Sequence, residues 1–260
     1  MTKPQRGFYR KKNHRNIFGL PVLQDNITWI WSLGKEAVVI DPAIAAPVEI
    51  WLKNHDLNLI AVLQTHHHSD HIGGTKGLLK LWPKAEVIAA KKDILRIPFQ
   101  TISVTDGDQI TLMNSSLQVI EVPGHTKEHI AFFLPTGSQR SEEAALFCGD
   151  TLFGAGCGRL FEGSPEEMYL SLKRLSSLPK ETKIYCAHEY TEANLLWATG
   201  INPSDKAIKD RLTKVREVRL NGELTLPSNM AIEISTNLFL RAKDSEELSK
   251  LRKHKDHWKG

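Results

Sequence analysis

Residues 59–63 are all apolar, and one residue later the chain reads Thr-His-His-His-Ser-Asp-His at positions 65–71. An apolar run of this length predicts a buried β-strand, so the histidines stand where a strand ends and a loop begins. A rigid scaffold can aim several side chains at one point from such a loop. Packing alone does not explain the four potential metal ligands that fall within six residues here, which are His66, His68, Asp70 and His71.

The residues around this loop indicate the fold class. Gly73 and Gly74 allow the backbone to turn, and residues 75–81 are typical of a helix. A strand, a loop and a helix in this order favour α/β layering over an all-β domain. Further strands are predicted at 27–31, 37–40, 85–89, 117–122, 130–134, 144–148 and 183–186. Further helices are predicted at 47–55, 165–175, 192–198, 204–220 and 244–255.

Three of the later predicted strands also end in a potential ligand. His125 follows the strand at 117–122, Asp150 follows 144–148, and His188 follows 183–186. Each residue alone has an ordinary structural explanation, but the recurrence at strand ends favours one shared site. Seven donors exceed the four positions of a zinc ion, so they suit two metals that share a ligand. Imidazole and carboxylate without thiolate favour zinc, iron or manganese.

Several other residues refine this interpretation. Asp41 is either a partner of a ligand or a turn residue, and His67 should point away from its two neighbours. Ser164, Pro165 and Glu167 form a capping box that begins a helix. Beyond residue 175 the chain becomes mainly helical. We therefore expect a layered domain at 16–175 and a mainly helical domain at 176–260, which includes His188.

Charge and composition narrow the function classes. Residues 1–15 carry six basic and no acidic side chains, while the whole chain has a net charge of +4, so the remainder is slightly negative. This local basicity argues against a nucleic-acid partner and favours a disordered tail over an organelle-targeting arm. The chain has no apolar run long enough to span a membrane. Three cysteines without a Cys-x-x-Cys spacing suit a reducing compartment, so we expect a cytoplasmic protein.

The motifs also carry a family resemblance. The loop at 65–71 is similar to the metallo-β-lactamase superfamily motif Thr-His-x-His-x-Asp-His, and Pro-Gly-His-Thr at 123–126 and Cys-Gly-Asp-Thr at 148–151 resemble its next two motifs. More specifically, the chain resembles glyoxalase II, the hydroxyacylglutathione hydrolases. That resemblance rests on residues 149–153, 156–159, 161–163 and 186–191.

The resemblance implies an αββα sandwich with a C-terminal helical domain that binds the substrate. It also implies that His66, His68 and His125 bind one metal and that Asp70, His71 and His188 bind a second. Asp150 would bridge the two, so Asp70 and Asp150 are the expected catalytic residues. In this family a hydroxide bridging two divalent metals, most often zinc, attacks the thioester of S-D-lactoylglutathione and related S-(2-hydroxyacyl)glutathiones. The products are D-lactate, or another 2-hydroxy acid, and glutathione.

The same resemblance implies the substrate contacts, which are Arg159, Phe161, Tyr190, Arg252 and Lys255. Cations suit glutathione because it carries two carboxylates. Two alternatives stay open at this point. One is another hydrolase of the same fold, such as a lactonase or a β-lactamase-like enzyme. The other is a mononuclear iron persulfide dioxygenase, which would leave Asp70 and His188 without a purpose. We expect a monomer that acts on a small molecule.

Overall fold

A computed structural model describes residues 14–137 and 143–259, and two mixed six-stranded sheets dominate them. In the first sheet the three leading strands pair antiparallel and the remaining ones pair parallel. Its strands, in both chain and spatial order, are β1 (Asn16–Val22), β2 (Asn26–Leu33), β3 (Glu36–Ile40), β4 (Asn58–Leu63), β5 (Glu86–Ala90) and β6 (Ile102–Val104).

The second sheet has one parallel pair, and its other pairs are antiparallel. A separate hairpin, β11 (Leu152–Phe153) with β12 (Gly156–Cys157), follows its fourth strand in chain order. From one edge to the other, the sheet contains β14 (Ser228–Asn229), β13 (Lys183–Cys186), β10 (Ala145–Gly149), β9 (Ile130–Leu134), β8 (Ser115–Glu121) and β7 (Gln109–Leu112).

The main core lies between the two sheets. Side chains alternate along β2, so Trp29 and Trp31 join the cluster shared with the second sheet, while Ile30 faces the opposite side. Trp29 Nε1 donates a hydrogen bond to the carbonyl of Cys186 in β13 at 2.8 Å, which ties the sheets together. Burial of each large apolar side chain stabilises the fold by about 1.5–3 kcal/mol.

Helices cover the outer faces of both sheets. Ile30 packs in a second cluster with Trp51 and Leu78 from the two helices over the first sheet, α1 (Ala45–Asn54) and α3 (Thr75–Leu81). The short helix α2 (Ser69–Ile72) precedes α3. The helices on the other side are α4 (Pro165–Ser176), α5 (Thr191–Ile201), α6 (Lys206–Leu220), α7 (Met230–Thr236), α8 (Leu238–Arg241) and α9 (Ser245–His257).

This arrangement is an αββα sandwich with added C-terminal helices, which confirms the predicted fold class. The capping box at the start of α4 is present, with Ser164 accepting from the Glu167 N–H at 3.1 Å. One prediction needs correction, and two helices were missed. The segment at 154–163 is not entirely a loop, because it contributes β12 to the hairpin, and helices α7 and α8 were not predicted.

Other predictions concern the ends of the chain and its division. The predicted disordered tail at 1–15 falls almost wholly outside the described residues, which begin at residue 14. The division after residue 175 stays a prediction, although β13 and β14 from the second part complete the second sheet. Among the described residues, every helix is too short or too polar to cross a membrane.

Candidate metal centre and substrate cavity

The histidine loop leaves β4 and turns at once into α2. His68 is the N-cap residue of α2, and Asp70 and His71 lie within that helix. Asp41 fixes the start of the loop, because its carboxylate accepts hydrogen bonds from the Thr65 N–H at 2.8 Å and the Thr65 hydroxyl at 2.6 Å. Asp41 therefore positions the histidine loop, and of the two roles considered for it, partner of a ligand or turn residue, the structure supports the first.

Three imidazoles form what we call the first group: His66, His68 and His125. Their inward nitrogens lie close together, with His66 Nε2 and His125 Nε2 each 3.1 Å from His68 Nδ1. These atoms all lie within 4.8 Å of one another, a spacing that can surround one metal ion. Residues from two separate loops, 59 positions apart in the sequence, thus meet at one point.

Three further residues form the second group: Asp70, His71 and His188. Asp70 Oδ2 lies 3.6 Å from His71 Nε2 and 3.5 Å from His188 Nε2. These ligand atoms also lie within 4.8 Å of one another. The second group therefore offers one carboxylate and two imidazoles to a second ion.

Asp150 lies between the two groups. Its Oδ1 is 3.5 Å from His71 Nε2 and 3.4 Å from His188 Nε2, whereas its Oδ2 is 3.4 Å from His125 Nε2. One carboxylate thus faces both groups with a different oxygen. The residue before it, Gly149, has a φ of +48° and leaves no room for a side chain.

The outer nitrogens of the second-group rings are held by carboxylates. His71 Nδ1 lies 3.1 Å from Asp41 Oδ2, and His188 Nδ1 lies 2.7 Å from Asp25 Oδ1. Such a bond fixes the orientation of the ring and leaves the lone pair of Nε2 for the metal. Asn26 Nδ2 also donates to Asp70 Oδ2 at 3.0 Å. Every member of the second group therefore has a partner that orients it.

The first group is oriented differently. His125 Nδ1 donates to the Arg159 carbonyl at 2.9 Å, and His66 Nδ1 lies 3.1 Å from the Thr65 hydroxyl. His66 also stacks on His129, with ring centroids 4.6 Å apart. The partners of His66 and His125 are thus a carbonyl, a hydroxyl and a ring, which are uncharged, unlike the carboxylates that orient His71 and His188.

Neither His129 nor the role of Asp25 is predicted from the sequence. His129 is fully buried, and its Nε2 accepts the backbone N–H of Asp150 at 3.1 Å. Asp25 is 163 positions from the histidine it orients. The position of His129, four residues after His125, was a signal that could have identified it. No local pattern in the sequence points to Asp25.

The donor set fits divalent metal ions. His71 Nε2 and Asp150 Oδ1 are buried and have no hydrogen-bond partner among the described residues. A buried polar atom without a partner is costly, and a metal ion would satisfy both. The carboxylates and imidazoles present, without thiolate, are ligands that zinc, iron and manganese accept.

The electrostatics of His66, His68 and Asp150 favour the protonation states that a metal requires. Burial lowers the pKa of His66, and burial together with the neighbouring His125 lowers the pKa of His68 to about 4. Both rings are therefore neutral ligands at physiological pH. Burial opposes ionisation of Asp150, but His71 and His188 outweigh it and hold the pKa of this carboxyl well below its ordinary value. Burial alone would lower the pKa of His71 and His188, but the Asp150 carboxylate outweighs burial and raises both, so a metal ion must displace a proton from these two rings.

A cavity of about 520 Å³ opens above the two groups. Tyr190 lies beside the metal ligands, and its ring stacks on His188 at a centroid distance of 4.8 Å. Phe161 packs its ring against His68 and His125 at 5.7 and 5.2 Å, although 62% of the residue remains exposed. These aromatic rings form the part of the wall nearest the candidate metal centre.

Two cations, Lys255 and Arg159, also line the cavity. Lys255 Nζ lies over the rings of Trp258 and Trp197, at 4.6 and 5.4 Å from the ring centroids. Arg159 is largely exposed, with its Nε 3.8 Å from Asp256 Oδ1. We call the seven metal donors, five of which line the cavity, its floor. We call the side chains of Tyr190, Phe161, Arg159 and Lys255 its wall.

Arg252 is placed differently from the other predicted substrate contacts. It is 5% exposed, and its guanidinium donates to the Cys157 carbonyl at 2.9 Å and to Asp256 Oδ1 at 2.9 and 3.0 Å. Its side chain also lies over the ring of Phe239, 5.2 Å from the centroid. Arg252 lines the cavity and fastens α9 to the β11–β12 hairpin.

Comparison with known proteins identifies the family. Residues 20–188 match the model of the metallo-β-lactamase superfamily, and residues 189–258 match that of the hydroxyacylglutathione hydrolase C-terminus. A hydroxyacylglutathione hydrolase from Prochlorococcus marinus (strain MIT 9303) is 59% identical over 95% of this chain and 95% of its own length. The protein of the same description from Parasynechococcus marenigrum is 57% identical over 94% of this chain and 98% of its own.

The chain belongs to the hydroxyacylglutathione hydrolase family, within the metallo-β-lactamase superfamily. Among solved structures, ETHE1 from Myxococcus xanthus is similar with a TM-score of 0.66 and 25% identity, covering 92% of this chain and 90% of that one. The predicted resemblance is confirmed, and the chain is a hydrolase. The superfamily fold and its two donor groups also support the binding of divalent metal.

Proposed function

We propose that this hydroxyacylglutathione hydrolase cleaves the thioester of S-D-lactoylglutathione and related S-(2-hydroxyacyl)glutathiones, releasing a 2-hydroxy acid and glutathione. One observation carries the proposal: a single cavity is lined by five of the seven metal donors and also by Lys255 and Arg159. Such a cavity can hold a thioester carbonyl at one end and an anionic peptide at the other. Close relatives described by this activity support the assignment.

The first group would hold one ion, the second group another, and Asp150 would be shared by both. We propose zinc for both positions, with iron and manganese as alternatives. Two metal ions bound there would supply water activated at neutral pH and would polarise the carbonyl of the thioester. The second group is complete within one chain, which argues against the mononuclear iron alternative.

The protein's own residues prepare the site for this chemistry. Asp41 and Asp25 keep Nε2 of His71 and His188 directed at the floor. Asp70 and Asp150 bring two negative charges, which offset half of the four positive charges of two divalent ions. Little acid catalysis is needed for the leaving group, because a thiol has a pKa of about 8.5 and departs readily as the thiolate.

The wall would select the glutathione portion. Lys255 is half-buried and fixed over two indole rings, so it can bind a carboxylate at a defined place. Tyr190 and Arg159 would contact the peptide nearer the metals, and Phe161 would shield the reacting thioester. Arg252 would contribute chiefly by holding α9, on which Lys255 lies, in position.

We also propose that the chain works as a monomer divided after residue 175. All seven donors and the cationic wall come from one chain, so the site needs no second copy. The part before the boundary supplies six donors, and the part after it supplies His188, Tyr190 and Lys255.

The test compares two thioesters with the same acyl group. Metal-loaded protein is assayed for thiol release from S-D-lactoylglutathione and from S-D-lactoyl-N-acetylcysteamine, which lacks both glutathione carboxylates. We expect kcat/KM to be at least about tenfold higher for the glutathione thioester, since charged hydrogen bonds stabilise its complex. Absence of thiol release from S-D-lactoylglutathione would refute the proposed activity. Equal rates would refute the role of the wall.

A further inference from the structure

His67 lies between two members of the first group, and its ring turns away from them into a separate cluster. His67 Nδ1 is 3.5 Å from Asp93 Oδ2, and Arg96 Nη1 is 3.4 Å from His67 Nε2. Glu162 Oε1 also lies 3.5 Å from His67 Nε2, whereas His67 Nδ1 has no hydrogen-bond partner among the described residues. The side chain of Asp93 is completely buried.

Arg96 connects the members of this cluster. Its Nε donates to the Asp93 carboxylate, and its Nη1 donates to Glu162 Oε1 at 2.6 Å. The other oxygen of Glu162 accepts the backbone N–H of Lys127 at 2.8 Å. One guanidinium therefore links the turn at 91–97, the histidine loop and the segment at 161–163.

These links reach every element of the first group. His67 is covalently flanked by His66 and His68, and Lys127 stands two residues after His125. Glu162 follows Phe161, whose ring contacts His68 and His125. The two loops that carry the first group are thus fastened to each other through Arg96.

The second group does not use this cluster. Its members are oriented by Asp41, Asp25 and Asn26, which lie on or next to β2 and β3. A fault at Arg96 should therefore loosen the first group and leave the second intact. That asymmetry is what separates a positioning role from a general contribution to folding.

We propose that Arg96 is a positioning residue for the metal bound by the first group, acting through Asp93, His67 and Glu162. The inference rests on the proposed function in that it assumes a two-metal centre. Arg96 does not line the cavity and has no contact with the reacting atoms. Removal of a group that orients ligands typically weakens metal binding by about 10- to 100-fold.

The test measures metal release without any thioester. Protein loaded with two zinc ions is mixed with an excess of a chromophoric chelator, and the two release phases are followed. His125→Ala and His188→Ala assign one phase to each group. We expect Arg96→Gln to accelerate release from the first group by about 10- to 100-fold and to leave the other phase unchanged.

Two variants guard against misinterpretation. Arg96→Gln leaves Asp93 buried without its cation. Glu162→Gln keeps the Arg96–Asp93 ion pair, so it should accelerate metal release from the first group selectively, but to a smaller degree. Lys92→Gln is the matched control, because Lys92 lies on the same turn but pairs with Glu121 at 3.0 Å. Its release phases should equal those of the wild type.

The outcomes separate this inference from the proposed function. Wild-type release rates in both Arg96→Gln and Glu162→Gln, or equal acceleration of both phases, would overturn the positioning role. Wild-type protein that holds two zinc ions without cleaving the thioester would refute the activity and leave this test valid. Protein that binds fewer than two ions would refute the two-metal centre and, with it, the inference.

Discussion

The floor and the wall of the cavity are built in opposite ways. On the floor, donors such as His66 and His71 are buried, and hydrogen bonds hold their outer nitrogens. In the wall, Phe161 is 62% exposed and the side chain of Arg159 is 65% exposed. A metal centre needs fixed geometry, whereas recognition of a flexible peptide can be spread over several weaker contacts. Changes in the floor should therefore abolish activity, and changes in the wall should only reduce affinity.

The largest effect is expected for Asp150→Ala. This change removes the carboxylate that faces both groups, so both metals lose a ligand. We expect kcat to fall about 1,000-fold or more and the metal content to drop. Asp106→Ala, which removes a surface carboxylate paired with Arg174, is the control. Wild-type turnover in Asp150→Ala would contradict the bridging assignment.

Lys255→Met should affect the wall alone. The substitution keeps an unbranched apolar stem against Trp197 and Trp258 but removes the charge. We expect KM for S-D-lactoylglutathione to rise by about 10- to 100-fold with little change in kcat, because the lost contact is made equally in the ground and transition states. Lys250→Met is the control on the same helix, since Lys250 pairs with Glu246 in solvent. An equal fall in kcat would place Lys255 in the floor's chemistry instead.

The pH dependence of KM should identify Lys255 further. Burial, together with the charge of Arg252, lowers the pKa of Lys255 to about 8. The ammonium is charged below this value, so affinity for the glutathione carboxylate is complete below pH 8 and declines as the pH rises through it. KM measured over roughly pH 6.5 to 9.5, a range that spans this pKa, should therefore increase at the alkaline end. Lys255→Arg keeps its charge, and a rise in KM that persists in this variant would assign the titration to another group.

Arg159→Ala should have the smallest effect. Its guanidinium is solvated, and an exposed charge contributes about 0.2–1 kcal/mol. We expect a two- to fivefold fall in kcat/KM, roughly the equivalent of that energy, confined to glutathione thioesters. Steady-state assays on the two substrates compared above would measure it. A loss as large as that of Lys255→Met would show that the wall is more rigid than the exposure of Arg159 implies.

The floor could largely be predicted from the sequence because its signals are local. Four of its seven donors lie within six residues, and the others stand at the ends of recognisable strands. The turn that Gly73 and Gly74 allow also predicted a helix at 75–81, with the bounds that the structure has. Such patterns can be recognised in the sequence because each strand or helix has its own spacing of apolar residues.

Interactions between distant segments could not be predicted in this way. Asp25 orients His188 across 163 positions, and Arg96 meets Glu162 across 66 positions. Helices α7 and α8 are short, so their apolar residues repeat too few times to show a helical period. The burial of Arg252 was also hidden, because a basic residue on a basic helix is usually solvated.

The central claim is that both groups hold a metal and that catalysis needs both. Its most direct test is a titration of metal-free protein with Zn²⁺, in which thiol release from S-D-lactoylglutathione is recorded at each addition. We expect activity to rise until two equivalents of Zn²⁺ per chain are bound and then to stay constant. A plateau at one equivalent, or no thiol release at any ratio, would contradict the central claim.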